Sequence, residues 1–231
     1  MQRNRYAEAL EEIAPVLKED VETHPFITDI VGGRLTPSVY AAYLRETYHL
    51  VHQTPCFLTA AAAHTRETWL QDWFIDLAVD ERHHDRLCVR DLRNLGLDPD
   101  AYLRGLPGLG TWTMVGQNHY LTAMGDPAGI LGFAAATEGL GASLGPKVAE
   151  AMRKYPFAQK SLSFLKVHAV EDQKHVDLVK DAFNRCAETS EERRELLVTT
   201  WRYTLKAYAR LFSDALERGN APDVRTAPAT P

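Results

Sequence analysis

Apolar residues recur along this chain at the three- and four-residue spacings of a helix face, and no segment keeps the alternation of a half-buried strand. Residues 6–22, "YAEALEEIAPVLKEDVE", form a first amphipathic segment, interrupted or kinked near Pro15. Residues 24–35, "HPFITDIVGGRL", read as a short connector with a Gly-Gly turn. In "TPSVYAAYLRETYHLVHQ", Thr36 is placed to cap a helix with Pro37 at its first position, and Pro55 is expected to end it. "TRETWLQDWFIDLAVDERHHDRLCVRDLRNLG" predicts one long helix over 65–96, closed by Gly96. "GLPGLGTWTMVGQNHYLTAMG", with five glycines, predicts a broken, mobile segment covering the functional site. Asp126 and Pro127 open a further helix whose Gly129, Gly132, Gly139 and Gly141 imply close packing or a local distortion. Two more helices follow, one through "AQKSLSFLKVHAVEDQKHVDLVKDAFNRCAE" and one from a Ser190 cap to a Gly219 stop. The pattern predicts an all-α fold: a compact bundle of about seven to eight helices in a single domain over 1–219, with a disordered Pro/Ala/Thr-rich tail over 220–231.

The chain has 231 residues and is 45% apolar, so it can bury a sizeable core. A formal net charge of −5 without any basic stripe argues against a nucleic-acid partner. No apolar run approaches the roughly 18 residues of a membrane span. Charges run throughout the N-terminal segment, so no secretory leader is expected there. Cys56, Cys88 and Cys186 are widely spaced, which points to free thiols and a cytoplasmic location.

The chemistry lies in ionisable residues at positions that should face inward. In "KVHAVEDQKHVDL", His168, Asp172 and His175 fall at i, i+4 and i+7, on the stripe that docks the helix onto its neighbours. Glu138 follows eleven residues without another charge, and a carboxylate buried there needs a cation or a proton. Glu81 and His84 stand at i and i+3 in "DERHHDRL", and Glu46 shares a face with Tyr43, His49 and Gln53. In chain order these are Glu46, Glu81-x-x-His84, Glu138 and Asp172-x-x-His175: a carboxylate from each of four helices, with a histidine added on two. Helical bundles hold two metal ions in this way. Mixed carboxylate and imidazole donors suit iron, or manganese, better than thiolate-seeking metals. His168 is an additional donor. Buried salt bridges are the competing explanation, but Arg45, Arg82, Lys166 and Lys174 mostly point off the shared stripe.

"THPFITDIVGGRLTPSVYAAYLRETYHLV" resembles the first helices of the haem-oxygenase-like superfamily, which includes thiaminase-II (TenA) and the pyrroloquinoline quinone synthases (PqqC). "HAVEDQKH" resembles the His-x-x-x-Asp-x-x-His element of the haem-oxygenase-like di-iron oxidases and oxygenases. That group contains alkene-forming fatty-acid decarboxylases, amino-acid N-oxygenases and the chlamydial death-domain-associating protein (CADD). The likeness spans about residues 6–218. It implies two iron ions, Fe2+ or Fe3+, with O2 as co-substrate. It implies that Glu138 bridges the irons and that His168, Asp172 and His175 bind from one helix. It implies that Glu81 and His84 form the Glu-x-x-His of the alkene-forming member, and that Glu46 is an early-helix ligand. A ferritin-like bundle shares the carboxylate order but not His168.

The expected activity is that of an oxidase or oxygenase acting on a small amino- or carboxylate-bearing metabolite in a biosynthetic pathway. C–C cleavage, desaturation and N-oxygenation all fit. An external electron donor and a homodimeric assembly are further expectations. Tyr43, His49, Gln53, Trp112 and Tyr120 are the candidate lining of a substrate pocket. The alternatives are a cofactor-independent enzyme of the TenA or PqqC type and a non-catalytic metal-binding or partner-binding helical protein.

Overall fold

Helix caps set the frame of the computed structural model, which describes residues 4–221. Asn4 accepts from the amide of Ala7 to open α1 (Arg5–Val16), which passes after Pro15 into a π-helical turn over Leu17–Glu22. His24 Nδ1 accepts from Phe26 N at the start of α2 (Pro25–Val31). Gly33, at φ 77°, then turns the chain into α3 (Pro37–His64), which Thr36 caps through its hydroxyl. Next come α4 (Thr68–Asp80), α5 (Asp85–Asn94) and the single turn α6 (Pro99–Tyr102). Then follow α7 (Leu109–Ala123), α8 (Ile130–Met152, reached through a 3-10 turn that Asp126 caps), α9 (Ser163–Ala187) and α10 (Glu191–Asn220, capped by Ser190). The fold is all-α, with no strand among the described residues.

α10 packs against α1, α3, α7, α8 and α9, and α8 lies along α9. Two glycines allow backbones to meet. A Cβ at Gly110 of α7 would stand 2.1 Å from Leu211 N, and one at Gly132 of α8 would stand 2.2 Å from Leu197 O. Gly132 and Gly141 of α8 therefore serve close packing, whereas Gly139 has only Tyr6 Oη near it, at 3.8 Å. Phe57, Phe74, Phe183 and Leu211 fill the interior between these helices.

Three expectations of the sequence are corrected. Pro55 does not end α3, which continues to His64. An internal proline costs about 3 kcal/mol; here α4, α5, α7 and α10 all pack on α3, and the Thr54 and Thr59 hydroxyls donate to the carbonyls of Leu50 and of Pro55 and Cys56. The stretch 65–96 is two helices, broken by a turn in which His83 takes φ 78°. The glycine-rich stretch after residue 105 is mostly the ordered helix α7, and the loop before it is held by Arg45, which donates to the carbonyls of Tyr102, Arg104 and Leu106.

α10 runs one residue past Gly219, and from residue 222 on the expected tail lies outside the described residues. Cys56, Cys88 and Cys186 are free. Among the described residues no helix is long and apolar enough to cross a membrane.

Candidate metal centre

The regularity of α9 carries His168, Asp172 and His175 on one stripe. Its start is fixed from another helix: the buried Asp91 of α5 accepts from Ser163 N and Phe164 N, both at 2.9 Å. α8 brings Glu138 opposite, and bare backbone at Gly141 lies against Asp172. Glu81 ends α4 and His84 precedes α5, so these two come from the interhelix turn rather than from a helix face.

Five of these six side chains form two donor sets. Glu81, His84 and His168 make one, and Glu81, Glu138 and His175 the other; within each, one donor atom per residue lies within 4.8 Å of the rest. Glu81 belongs to both. Its Oε2 is 3.1 Å from His84 Nδ1, and its Oε1 is 3.9 Å from His175 Nδ1. Glu138 Oε2 lies 3.2 Å from the same His175 nitrogen. Asp172 hydrogen-bonds Glu138, while its Oδ1 is buried without a partner.

Each imidazole turns its second nitrogen to an oxygen outside the sets. His168 Nδ1 donates to Phe164 O at 3.0 Å, which leaves the Nε2 lone pair free. His84 Nε2 is 3.4 Å from Glu171, and His175 Nε2 is 3.6 Å from Asp80. Metal-ligating histidines are oriented by such outer oxygens.

No lysine or arginine among the described residues pairs with Glu81, Glu138 or Asp172. Protons balance the charge instead. Burial, with Glu138 and Glu81 beside it, raises Asp172 to about 10. The hydrogen bond to Glu138 lifts His175 to about 8 against the effect of burial. Burial pulls His84 down, but Glu81 more than reverses this. Glu138 is pushed up by burial, whereas the three histidines outweigh burial at Glu81 and hold it below the usual range. Burial lowers His168 and keeps it neutral. Three carboxylates, three imidazoles and an orphaned Oδ1 fit a cation that prefers mixed oxygen and nitrogen donors, as iron and manganese do.

The structure does not bring Glu46 to these sets. Glu46 is buried, but its Oε1 pairs with Arg45 Nη1 at 2.7 Å and its Oε2 accepts from Gly108 N at 2.7 Å. Its neighbour Thr47 is among the residues of α3 that face a cavity beside the cluster. This cavity, of about 90 Å³, is lined by Tyr43, Thr47 and Tyr208 among others. Of the five pocket candidates only Tyr43 lines it. Gln53 Oε1 lies 3.3 Å from His119 Nε2, and His49 Nε2 is buried without a partner. Trp112 and Tyr120 project outward, because α7 turns Gly110, Met114 and Asn118 toward the interior. Sequence reasoning missed Asp80, Asp91 and Glu171. Glu171 reads as a solvated flank residue, and nothing in periodicity marks any of the three.

The sequence matches a family of iron-containing redox enzymes over residues 41–209. Among curated proteins no sequence matches. A domain of unknown function with a haem-oxygenase-like fold from Shewanella denitrificans superposes with TM-score 0.80 at 21% identity, over 91% of each chain. A TenA homologue from Pyrococcus furiosus gives TM-score 0.77 at 14% identity, covering 91% of this chain and 99% of that one. A TenA homologue from Pseudomonas syringae gives 0.74 at 15%, covering 91% and 92%. These likenesses show a haem-oxygenase-like fold.

Proposed function

This chain belongs to the family of iron-containing redox enzymes, and from that premise we propose that it is a non-haem di-iron oxidase or oxygenase with O2 as co-substrate. The support is Glu81, which presents one carboxylate oxygen to each of two donor sets. Two bound irons would supply the electrons that reduce O2. The chain's own part is to hold and orient. His84 and His168 serve one set, Glu138 and His175 the other, with Asp172 against Glu138. Glu171, Phe164 O and Asp80 fix the three imidazole planes. Leu50, Val51, Leu77 and Phe133 keep bulk water off the cavity side. The substrate is a metabolite bearing an amino or carboxylate group.

The fold shared with TenA homologues favours a second reading, a cofactor-independent enzyme. Anaerobic titration with Fe(II) separates the two. About two irons per chain, with O2 consumed on admission of air, is the expected result. A folded protein that takes up no iron leaves the cofactor-independent reading.

A further inference from the structure

The cavity beside the cluster is walled by apolar side chains, Leu50, Val51, Leu58, Leu77 and Phe133 among them. Thr47, Thr54 and Thr137 add neutral polarity, and no lysine or arginine among the described residues lines it. A second cavity, also about 90 Å³, lies between α2, α3, α8, α9 and α10, walled by Ile27, Ile30, Val148, Met152 and Leu165. Tyr43 is in the lining of both. Its ring centroid stands 5.2 Å from that of Phe26 and 6.3 Å from that of Phe212, so one supported aromatic ring parts two apolar chambers.

A substrate in the first chamber meets charge only at the cluster. A zwitterion would have to leave one of its two charged groups desolvated and unmatched, since no cationic side chain waits for a carboxylate. A molecule with one head group at the cluster and a chain along the apolar wall leaves nothing unmatched. We propose that the substrate is an aliphatic chain with a single small head group that reaches the metals, and that Tyr43 sets its length by closing the first chamber from the second. The head group's position rests on the metal-centre reading; the apolar half does not.

The test is calorimetric titration of the full chain, iron-loaded and metal-free, with saturated n-alkanoates and n-alkylamines of increasing length. Affinity should rise about fourfold per methylene in both metal states, then fall beyond one length. A preference between carboxylate and amine should show in the loaded form. Tyr43→Ala should move the optimum to longer chains, Tyr43→Phe should leave it, and Val148→Phe added to Tyr43→Ala should move it back. If Tyr43→Ala fails to fold, Tyr43→Leu reads the same shift. A flat length series, an optimum that opening the Tyr43 wall leaves in place, or tighter binding of amino acids than of alkanoates would overturn the proposal. Failure to load iron would count against the metal centre alone, because the methylene slope is also read without metal.

Discussion

Gly141 of α8 and Asp172 of α9 stand so close that a Cβ on the glycine would lie 1.5 Å from Asp172 Oδ2 and 3.0 Å from Asp172 Cβ. Gly→Ala in a helix ordinarily gains about 1 kcal/mol. Gly141→Ala should instead lose about 1–3 kcal/mol by overpacking and lower the iron-to-protein ratio, because the aspartate cannot clear the methyl by swinging its carboxylate alone. Gly139→Ala is the control. Its added carbon would meet only Tyr6 Oη, at 3.8 Å, so it should keep the ratio and melt no lower than the parent.

Sharing makes Glu81 unequal to its neighbours. Glu81→Ala should abolish uptake at both positions, while His84→Ala and His175→Ala should each retain about one iron per chain. Stoichiometry from anaerobic titration decides this. Equal losses from all three variants would speak for a single merged site.

Asp172, raised to about 10, and His175, raised to about 8, both sit above their ordinary values of 3.8 and 6.5. Each therefore stabilises the metal-free fold at low pH, and that contribution is lost as pH climbs through the raised value. Metal binding needs both groups deprotonated, so it releases protons and tightens over the same range. Between pH 6.5 and about 8 the melting temperature of the metal-free protein should fall relative to the loaded form. Mn2+ loading avoids oxidation during the measurement. A gap that narrows with rising pH would contradict this assignment.

Asp91 holds the start of α9 through two backbone amides. Asp91→Ala leaves both donors without a partner in the interior and should cost about 1–3 kcal/mol in urea unfolding. Asp91→Asn keeps one acceptor oxygen and should fall between. Iron affinity should weaken in parallel, since α9 carries His168 and His175 of the donor sets and Asp172 beside them.

His83 has a backbone conformation that costs a non-glycine residue about 1–2 kcal/mol. His83→Gly should therefore be neutral or stabilising by up to about 1 kcal/mol, with iron uptake unchanged. In an uninterrupted helix the same change would destabilise.

Legibility in the sequence followed the regularity of the backbone. On α9 the spacing of His168, Asp172 and His175 translates directly into one stripe, and Glu138 stands out as a lone charge in an apolar helix. Glu81 and His84 do fall together in one candidate donor set, but a continuous helix gave them the wrong geometry, because a histidine at positive φ carries no mark in composition. Glu46 is indeed buried, yet its partner is the adjacent Arg45, and a periodic pattern cannot say which of two neighbouring buried positions looks into a cavity. The glycines of α7 look like flexibility in one dimension. In three, Gly110 is where one helix backbone touches another.

The turn between α4 and α5 also bears on how such a centre can drift over evolutionary time. A residue inserted among 81–84 lengthens a loop and leaves both flanking helices in phase with their neighbours. One inserted between His168 and His175 would rotate the last donor by about 100° and carry it off the stripe. Spacing is therefore rigid on α9 and loose at the turn, and a search keyed to His-x-x-x-Asp-x-x-His should recover diverged relatives that a search keyed to Glu-x-x-His passes over.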